Sequence, residues 1–437
     1  MQLPRFDVAA VARCLAQIAD REGDFADAFF ERREVVELAD GEPAPEWRVR
    51  REEGFCLRLM RQRRSWLACR DHIAREPFAA ALRQTARAVP QAPYPAPEFE
   101  PARERPFHAE EVQQFPSRLA REVRRHHVAF PLQLTVRRHL RLVRWMDTRL
   151  APEAESERFY SLTAQTPWGA VGDLLEALTD QATMAAFASR LLARFHSRGA
   201  SPPDPGPAVV ILAPAAAATL VHEAVAHALE TDTLALTGRP EAAIGLQLGP
   251  PQLSVLDDPG ALPKGVRRRV DDEGMPVHRR WLLRRGKVAQ PLADRAAAET
   301  STALEAGCGR RASRGLVPVP RSTHLEILPG PDDPADLFRE AEGGLYVEEV
   351  DRGRLDPATG TFQLVAPYGR RIRSGAPADW VGPFSLRAAL SDLAERLEGV
   401  GSESVFAGAG WCAKGGHRLP VWATACALRL AGVGVSS

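Results

Sequence analysis

A chain of 437 residues with 45% hydrophobic and 26% charged side chains has material for two or three packed cores, and its ordinary composition excludes a disordered or fibrous protein. A formal net charge of +1, from 57 basic and 56 acidic residues, leaves no basic excess of the kind that holds nucleic acid. No apolar run approaches the roughly 18–20 residues of a membrane span, and MQLPRFDVAAVARCLAQIAD at the N-terminus lacks the features of a secretory signal, so no membrane partner and a cytoplasmic location are expected.

In chain order, an amphipathic helix is expected over Val8–Asp20, then a strand in DFADAFFERREVVEL (24–38). GFCLRLM (54–60) and SWLACRD (65–71) continue a strand meander, and a helix follows at Phe78–Ala88. VPQAPYPAPEFEPARERPF (89–107) is too proline-rich for either element and reads as a linker. Beyond it come a helix at Ala109–Arg125, strands within LQLTVRRHLRLVRWMDTRL (132–150) and ERFYSLTAQ (157–165), and a helix through LLEALTDQATMAAFASRLLARF (174–195). A second break, GASPPDPGP (199–207), precedes the apolar strand AVVILA (208–213), which runs straight into an alanine-rich helix. These breaks divide the chain into an N-terminal α/β domain (1–90), a linker (91–106), a central α/β domain (107–200) and a C-terminal domain (206–437). The six cysteines, Cys14, Cys56, Cys69, Cys308, Cys412 and Cys426, show no C-x-x-C pairing, and most are expected as buried thiols in a reducing compartment.

The alanine-rich helix carries the first pattern with chemistry in it, TLVHEAVAHALETD (219–232). Pro214 suits a first turn and the alanines to Ala218 favour helix, so His222 and Glu223 sit about two turns in. Zinc peptidase helices of the H-E-x-x-H type place two histidines four apart on one face, with the neighbouring glutamate as general base. Here the second histidine comes five residues after the first, which on a regular helix turns His222 and His227 about 140° apart. Either the two do not share an ion, or a π-type turn swings His227 back toward His222. A surface cluster on an alanine-rich helix is the plainer alternative.

Catalytic zinc takes three protein ligands and keeps one position open. The third-ligand candidate is Cys412, in the glycine-rich FAGAGWCAKGGHRLPV (406–421); a buried core thiol is the alternative reading, and His417 is a rival ligand. Glu230, three residues past His227, either orients that imidazole or stands as a solvated helix-end carboxylate. Asp257/Asp258 and Asp271/Asp272 with Glu273 lie in DDPG and DDEGMP, which are turn compositions. GGLYVEEV (343–350) is a strand candidate for holding an extended peptide by edge addition, with an ordinary core strand as the other reading.

HEAVAHALETD (222–232), LDDPG (256–260), DDEGMPVHRRWLLRRGKV (271–288), GGLYVEEVDRGRLDPATGTFQLV (343–365) and GAGWCAKGGHRLPV (408–421), in this order and spacing, resemble the TldD/PmbA family of zinc metallopeptidases. GDFADAFFERREVVELADGE (23–42) and EEGFCLRLM (52–60) are similar to that family's opening. The resemblance implies a multidomain α+β fold, with mixed sheets flanked by helices and the zinc helix in the C-terminal domain. It maps zinc ligands onto His222, His227 and Cys412, with Glu223 activating a zinc-bound water to hydrolyse peptide bonds in unfolded or precursor peptides. It also implies a homodimer, or a heterodimer with a second TldD/PmbA-type subunit; partner subunits of the other type often lack the histidine motif, which this chain keeps. The alternative is a non-catalytic, zinc-stabilised subunit that binds peptide or a separate active partner, which His417 as a fourth ligand would favour. Departures from the family pattern fall at Ala226 and Ala413, where glycine is usual, at His417, where glutamine is common, and at Ser322, which replaces an asparagine. They leave the three ligand positions intact and bear on substrate preference.

Overall fold

The computed structural model describes residues 2–19, 21, 24–39, 46–61, 64–86, 96–100, 110–125, 130–148, 153–178 and 181–437. After β1 (Arg5–Phe6) come α1 (Val8–Ile18), β2 (Phe25–Ala39), β3 (Glu46–Arg61), β4 (Arg64–Arg70) and α2 (Arg75–Ala86). After β5 (Phe99–Glu100), which pairs with β1, the same order returns as α3 (Glu110–Arg124), β6 (Gln133–Asp147), β7 (Glu153–Thr166), β8 (Gly169–Leu175) and α4 (Gln181–His196). The two sets share one antiparallel sheet, ordered β4-β3-β2-β6-β7-β8, and meet where β2 pairs with β6 from Asp27↔Asp147 to Ala39↔Thr135. All four helices cover one face. Ala26, Ala28 and Phe30 pack with α1 and α2 in one apolar cluster, and Leu134 and Val136 pack with α3 and α4 in another. The stretches read as N-terminal and central domains therefore carry separate helical layers on a common sheet. Of the proline-rich stretch read as a linker, Phe99–Glu100 is strand and most of the remainder lies outside the described residues.

Three local expectations change. Strand β3 starts at Glu46 rather than Gly54, because its charged first half is matched across the sheet: Arg51 reaches Glu34 at 2.9 Å, and Arg48 stands 3.8 Å from Glu37. The helix expected from Leu174 begins at Gln181, since Leu174 and Leu175 end a β7–β8 hairpin turned at Gly169, whose φ of 125° suits glycine. Cys56 and Cys69, expected among the free thiols, are register partners in β3–β4 with Cα atoms 4.0 Å apart and are joined as a disulfide; Cys14, Cys308, Cys412 and Cys426 are buried free thiols. Among the described residues no helix is long and apolar enough to cross a membrane.

The C-terminal part opens with β9 (Gly206–Leu212), α5 (Pro214–Val221), a π-helical segment (His222–Ala226) and α6 (Thr231–Leu234). It continues through β10 (Val255–Asp257), β11 (Arg280–Arg284), β12 (Lys287–Val288), α7 (Arg295–Ala298), β13 (Gly309–Arg310), β14 (Val319–Pro320), β15 (His324–Ile327) and α8 (Pro334–Glu340). Then follow β16 (Leu345–Val347), β17 (Arg352–Asp356), β18 (Thr361–Ala366), β19 (Gly369–Arg373), β20 (Ala376–Val381), β21 (Phe384–Ala389), α9 (Leu393–Arg396), β22 (Leu397–Val400), β23 (Val405–Lys414), β24 (His417–Ala425) and β25 (Leu428–Ser436). Two mixed sheets result, β12-β11-β10-β15-β24-β23 and β17-β18-β21-β25-β9-β16-β19-β20, with β22 also on β25. Val255 and Leu325 of the first and Phe362 and Leu386 of the second enclose α5 and the π segment in one core. A helix enclosed on both sides must be apolar all round and slim, which Ala216, Ala217, Ala224 and Ala226, all at 0% exposure, provide. This is the α+β, mixed-sheet architecture expected.

The helix-free face of the N-terminal sheet docks on the C-terminal part through buried ion pairs. Arg58 bridges Asp27 and Glu273, both at 2.7 Å; Arg141 bridges Glu31 at 2.8 Å and Asp272 at 3.0 Å; Arg295 pairs with Asp147. Burial alone would raise the Asp272 and Glu31 carboxyls. The Arg141 charge, with Arg268 beside Asp272 and Arg33 beside Glu31, outweighs it and holds both below the usual carboxylate range. Carboxyls lowered on folding stabilise the fold above their unfolded values near 4, and that contribution drains away as pH falls below them. Arg141→Met should cost about 1–3 kcal/mol at neutral pH, because each of two buried carboxylates loses one guanidinium partner while Glu31 keeps Arg33 and Asp272 keeps Arg268. Denaturant unfolding curves should show that deficit narrowing as the pH is taken below about 4.

Candidate metal centre

The extra residue between the two histidines is absorbed by the backbone. The His227 amide donates to the His222 carbonyl, five residues back, at 3.0 Å, and the wider winding brings the two rings to 4.4 Å between centroids. Cys412, on β23 of the hairpin that covers α5, places Sγ 3.5 Å from His227 Nε2. One donor atom from each of His222, His227 and Cys412 lies within 4.8 Å of the others, the only such grouping of three or more histidine, cysteine or acidic side chains among the described residues. His417 stays apart: it is buried, and its Nδ1 accepts from the Ala312 amide at 3.2 Å.

The donor set fits a cation. Burial, then the neighbouring His227, pushes the His222 imidazole down to about 3; burial, then Lys414 and Arg321, does the same to His227, so both rings are neutral with lone pairs to give. His222 Nδ1 is buried with no hydrogen-bond partner among the described residues. Burial, then the Glu230 charge, pushes the Cys412 thiol up to about 12. A buried imidazole nitrogen without a partner and a buried thiol that a bound cation would favour as thiolate are donors suited to a metal ion.

Glu230 is fully buried and pairs through Oε1 with His227 Nδ1 at 2.8 Å, which turns the opposite nitrogen toward Cys412. Its Oε2 is gripped by Arg321 at 3.1 Å and by Lys414, which also donates to Thr233 Oγ1 at 2.6 Å. Neither cation was singled out in the sequence. A signal existed for one: Lys414 is one of only three lysines in the chain, with Lys264 and Lys287, and it follows Cys412 by two positions. Burial raises the Glu230 carboxyl to about 7 against the pull of Arg321 and Lys414.

Glu223 lies beside the donor cluster, its carboxyl raised to about 7 by burial and then by the Glu230 charge. A backbone hydrogen bond from Leu355 of β17 opposes that rise, and the strand passes so close that a Cβ on Gly353 would sit 2.4 Å from Glu223 Cγ. Strand β17 is an edge: it pairs with β18 alone, and Arg352–Leu355 line a cleft of about 2290 Å³ that also exposes His222, Glu223 and Cys412. Strand β16, within the GGLYVEEV stretch proposed for peptide addition, is flanked by β9 and β19 and has no edge to offer. Asp271 and Asp258 do serve turns, accepting the amides of Glu273 and Met275 and of Gly260 and Ala261, whereas Asp257 ends strand β10 and accepts the amides of Thr323 and His324 at β15. Asp272 and Glu273 instead carry the docking ion pairs above.

Residues 205–437 match the model of the PmbA/TldA metallopeptidase C-terminal domain, more than half of the chain. Two curated relatives agree: a metalloprotease of Methanothermobacter thermautotrophicus is 29% identical over 224 residues, 51% of this chain and 48% of that protein. A metalloprotease TldD homolog of Buchnera aphidicola is 26% identical over 208 residues, 46% of this chain and 42% of that protein. The chain thus spans about half the length of the curated relatives it matches. The crystal structure of TldE from Thermococcus kodakarensis superposes with a TM-score of 0.75 at 16% identity, covering 98% of this chain and all of that one, which establishes a common fold. The chain belongs to the TldD/PmbA family of metallopeptidases.

Replacing Lys414 with alanine, or Glu230 with glutamine, loosens the hold on the His227 ring and should weaken divalent metal affinity by about 10–100-fold in chelator competition. Unchanged affinity in both variants would remove Glu230 from the site.

Proposed function

We propose that the chain is a zinc-dependent peptidase that takes extended segments of unfolded or precursor peptides. The observation that carries this is the convergence of His222, His227 and Cys412 donor atoms beside Glu223 in one large cleft. A volume of about 2290 Å³ is well beyond the roughly 300–1,000 Å³ of a small-molecule pocket and suits a length of polypeptide. The open edge of β17 offers backbone groups to an added strand, and Leu355, whose amide reaches Glu223, lies on it.

The two imidazoles and the Cys412 thiolate would hold the zinc ion, which would supply Lewis acidity toward water and the scissile carbonyl. Glu223 takes a proton from the attacking water at its carboxylate and returns it to the departing amine nitrogen. Gly353 leaves the space in which Glu223 lies, and Glu230 keeps the His227 ring oriented. The engagement of His417 with Ala312 supports an open three-residue site over a closed, purely structural one. The TldE fold and the TldD homologues support a place in a two-subunit assembly, as a homodimer or with a second subunit of the family.

Elemental analysis should find about one zinc per purified wild-type chain and a large loss in Cys412→Ser and in His227→Ala. Glu223→Gln should keep the metal and lose about 10²–10⁴-fold in peptide cleavage. Gly353→Ala, which crowds Glu223, should also keep the metal while cleavage falls on the order of 10²-fold. A wild type that cannot be loaded with zinc, or full activity in Glu223→Gln, would sink the reading.

A further inference from the structure

One wall of the cleft carries positive charge that the fold leaves unmatched. Arg418 on β24 is exposed, and its guanidinium lies 4.3 Å from the centroid of the Trp411 ring. The hairpin register sets Arg418 opposite Ala413, one pair along from Cys412↔Leu419, so its side chain leaves the hairpin on the face opposite to that of Cys412, and both residues line the same cleft. Arg137 of β6 faces it, and no carboxylate lies within ion-pair distance of Arg418 among the described residues. Burial and the Arg137 charge lower the Arg418 guanidinium, and burial, then Arg137 and Arg418, push His139 down to about 4, leaving that ring neutral against Ser161 Oγ at 2.8 Å.

Three of the carboxylates that line the cleft are held by other arginines. Glu37 holds Arg137 at 2.6 Å, Asp173 holds Arg190 at 2.6 Å, and Glu349 holds Arg194 at 2.9 Å. Like charges set side by side repel, and a stacked guanidinium keeps its donor fork directed outward for an anion. We propose that Arg418 is a carboxylate-binding residue of the cleft, so the preferred peptide presents an acidic side chain or its terminal carboxylate beside the Cys412 hairpin. This rests on the peptide-binding reading of the cleft. The residue discriminates between substrates; the bond-breaking groups are those named above.

The test is fluorescence anisotropy with the full-length Glu223→Gln protein and three labelled, unstructured ten-residue Ala/Gly/Ser peptides. One carries two glutamates and an amidated C-terminus, one is neutral with a free C-terminal carboxylate, and one is neutral and amidated. The expected result is binding about tenfold tighter for one or both carboxylate peptides, weakening with salt; whichever arm responds identifies the source of the carboxylate. Arg418→Gln, introduced into the same protein, should abolish the difference with metal content unchanged, and Arg418→Lys should restore part of it. Equal binding of all three peptides, or a preference that survives Arg418→Gln, overturns the proposal. A retained preference in a protein whose wild type cleaves nothing would sink the peptidase reading alone, whereas failure to bind any peptide would sink both.

Discussion

The hydrogen bond from the His227 amide to the His222 carbonyl is the constraint on which the candidate site depends. An α-helical bond to residue 223 would rotate the second imidazole away and leave one donor out of reach. A π turn has no intrinsic advantage over an α turn, so it must be held from outside, and the two C-terminal sheets enclose it on both sides with alanine-lined contacts. The same enclosure desolvates both imidazoles and keeps them neutral. The bond therefore sets the geometry and, through the packing that secures it, the electrostatics.

A second set of interactions gives the cleft its far wall. The N-terminal sheet could have met the C-terminal part through an apolar face, but it uses Asp27, Glu31, Arg58, Arg141 and Asp147, each buried or nearly so and each paired. Apolar surfaces tolerate sliding, whereas a bidentate or bridging guanidinium matches carboxylates in few arrangements. The wall that carries Arg137 and Asp173 is thereby held at a definite place opposite the histidine helix.

The order of elements in the N-terminal part was legible because β2, β6 and the helices alternate apolar residues at their own periods. The first half of β3 was not, since Arg48 and Arg51 owe their places to glutamates on another strand rather than to burial. The metal candidates could be named because the family's motifs recur here in order, and the five-residue spacing left a π turn as one of two readings, which the backbone adopts. Arg321, Gly353 and Leu355 were hidden, for they reach Glu230 and Glu223 through folding contacts that no local pattern encodes, and Lys414 left only the trace of a rare lysine beside Cys412. Asp272 and Glu273 misled in a different way: their DDEG setting is a turn, and the turn is what carries them into the interface with β3 and β6.

The doubled α-β-β-β-α order of the N-terminal part divides labour between its copies. In the first, the outer strand β4 is tied to the C-terminal part: the Arg70 carbonyl accepts from Arg314 Nε, and Gly54 beside it leaves no room for a side chain. In the second, the corresponding strand β8 faces the cleft with Asp173 and Leu174. One architecture thus serves as anchor at one end and as substrate-facing wall at the other. The anchoring itself is shared, since Arg141 and Asp147 of β6 dock beside Arg58 of β3, so it is the outer strand β8 alone, and not the whole second copy, that can be reshaped toward the cleft without loosening the assembly.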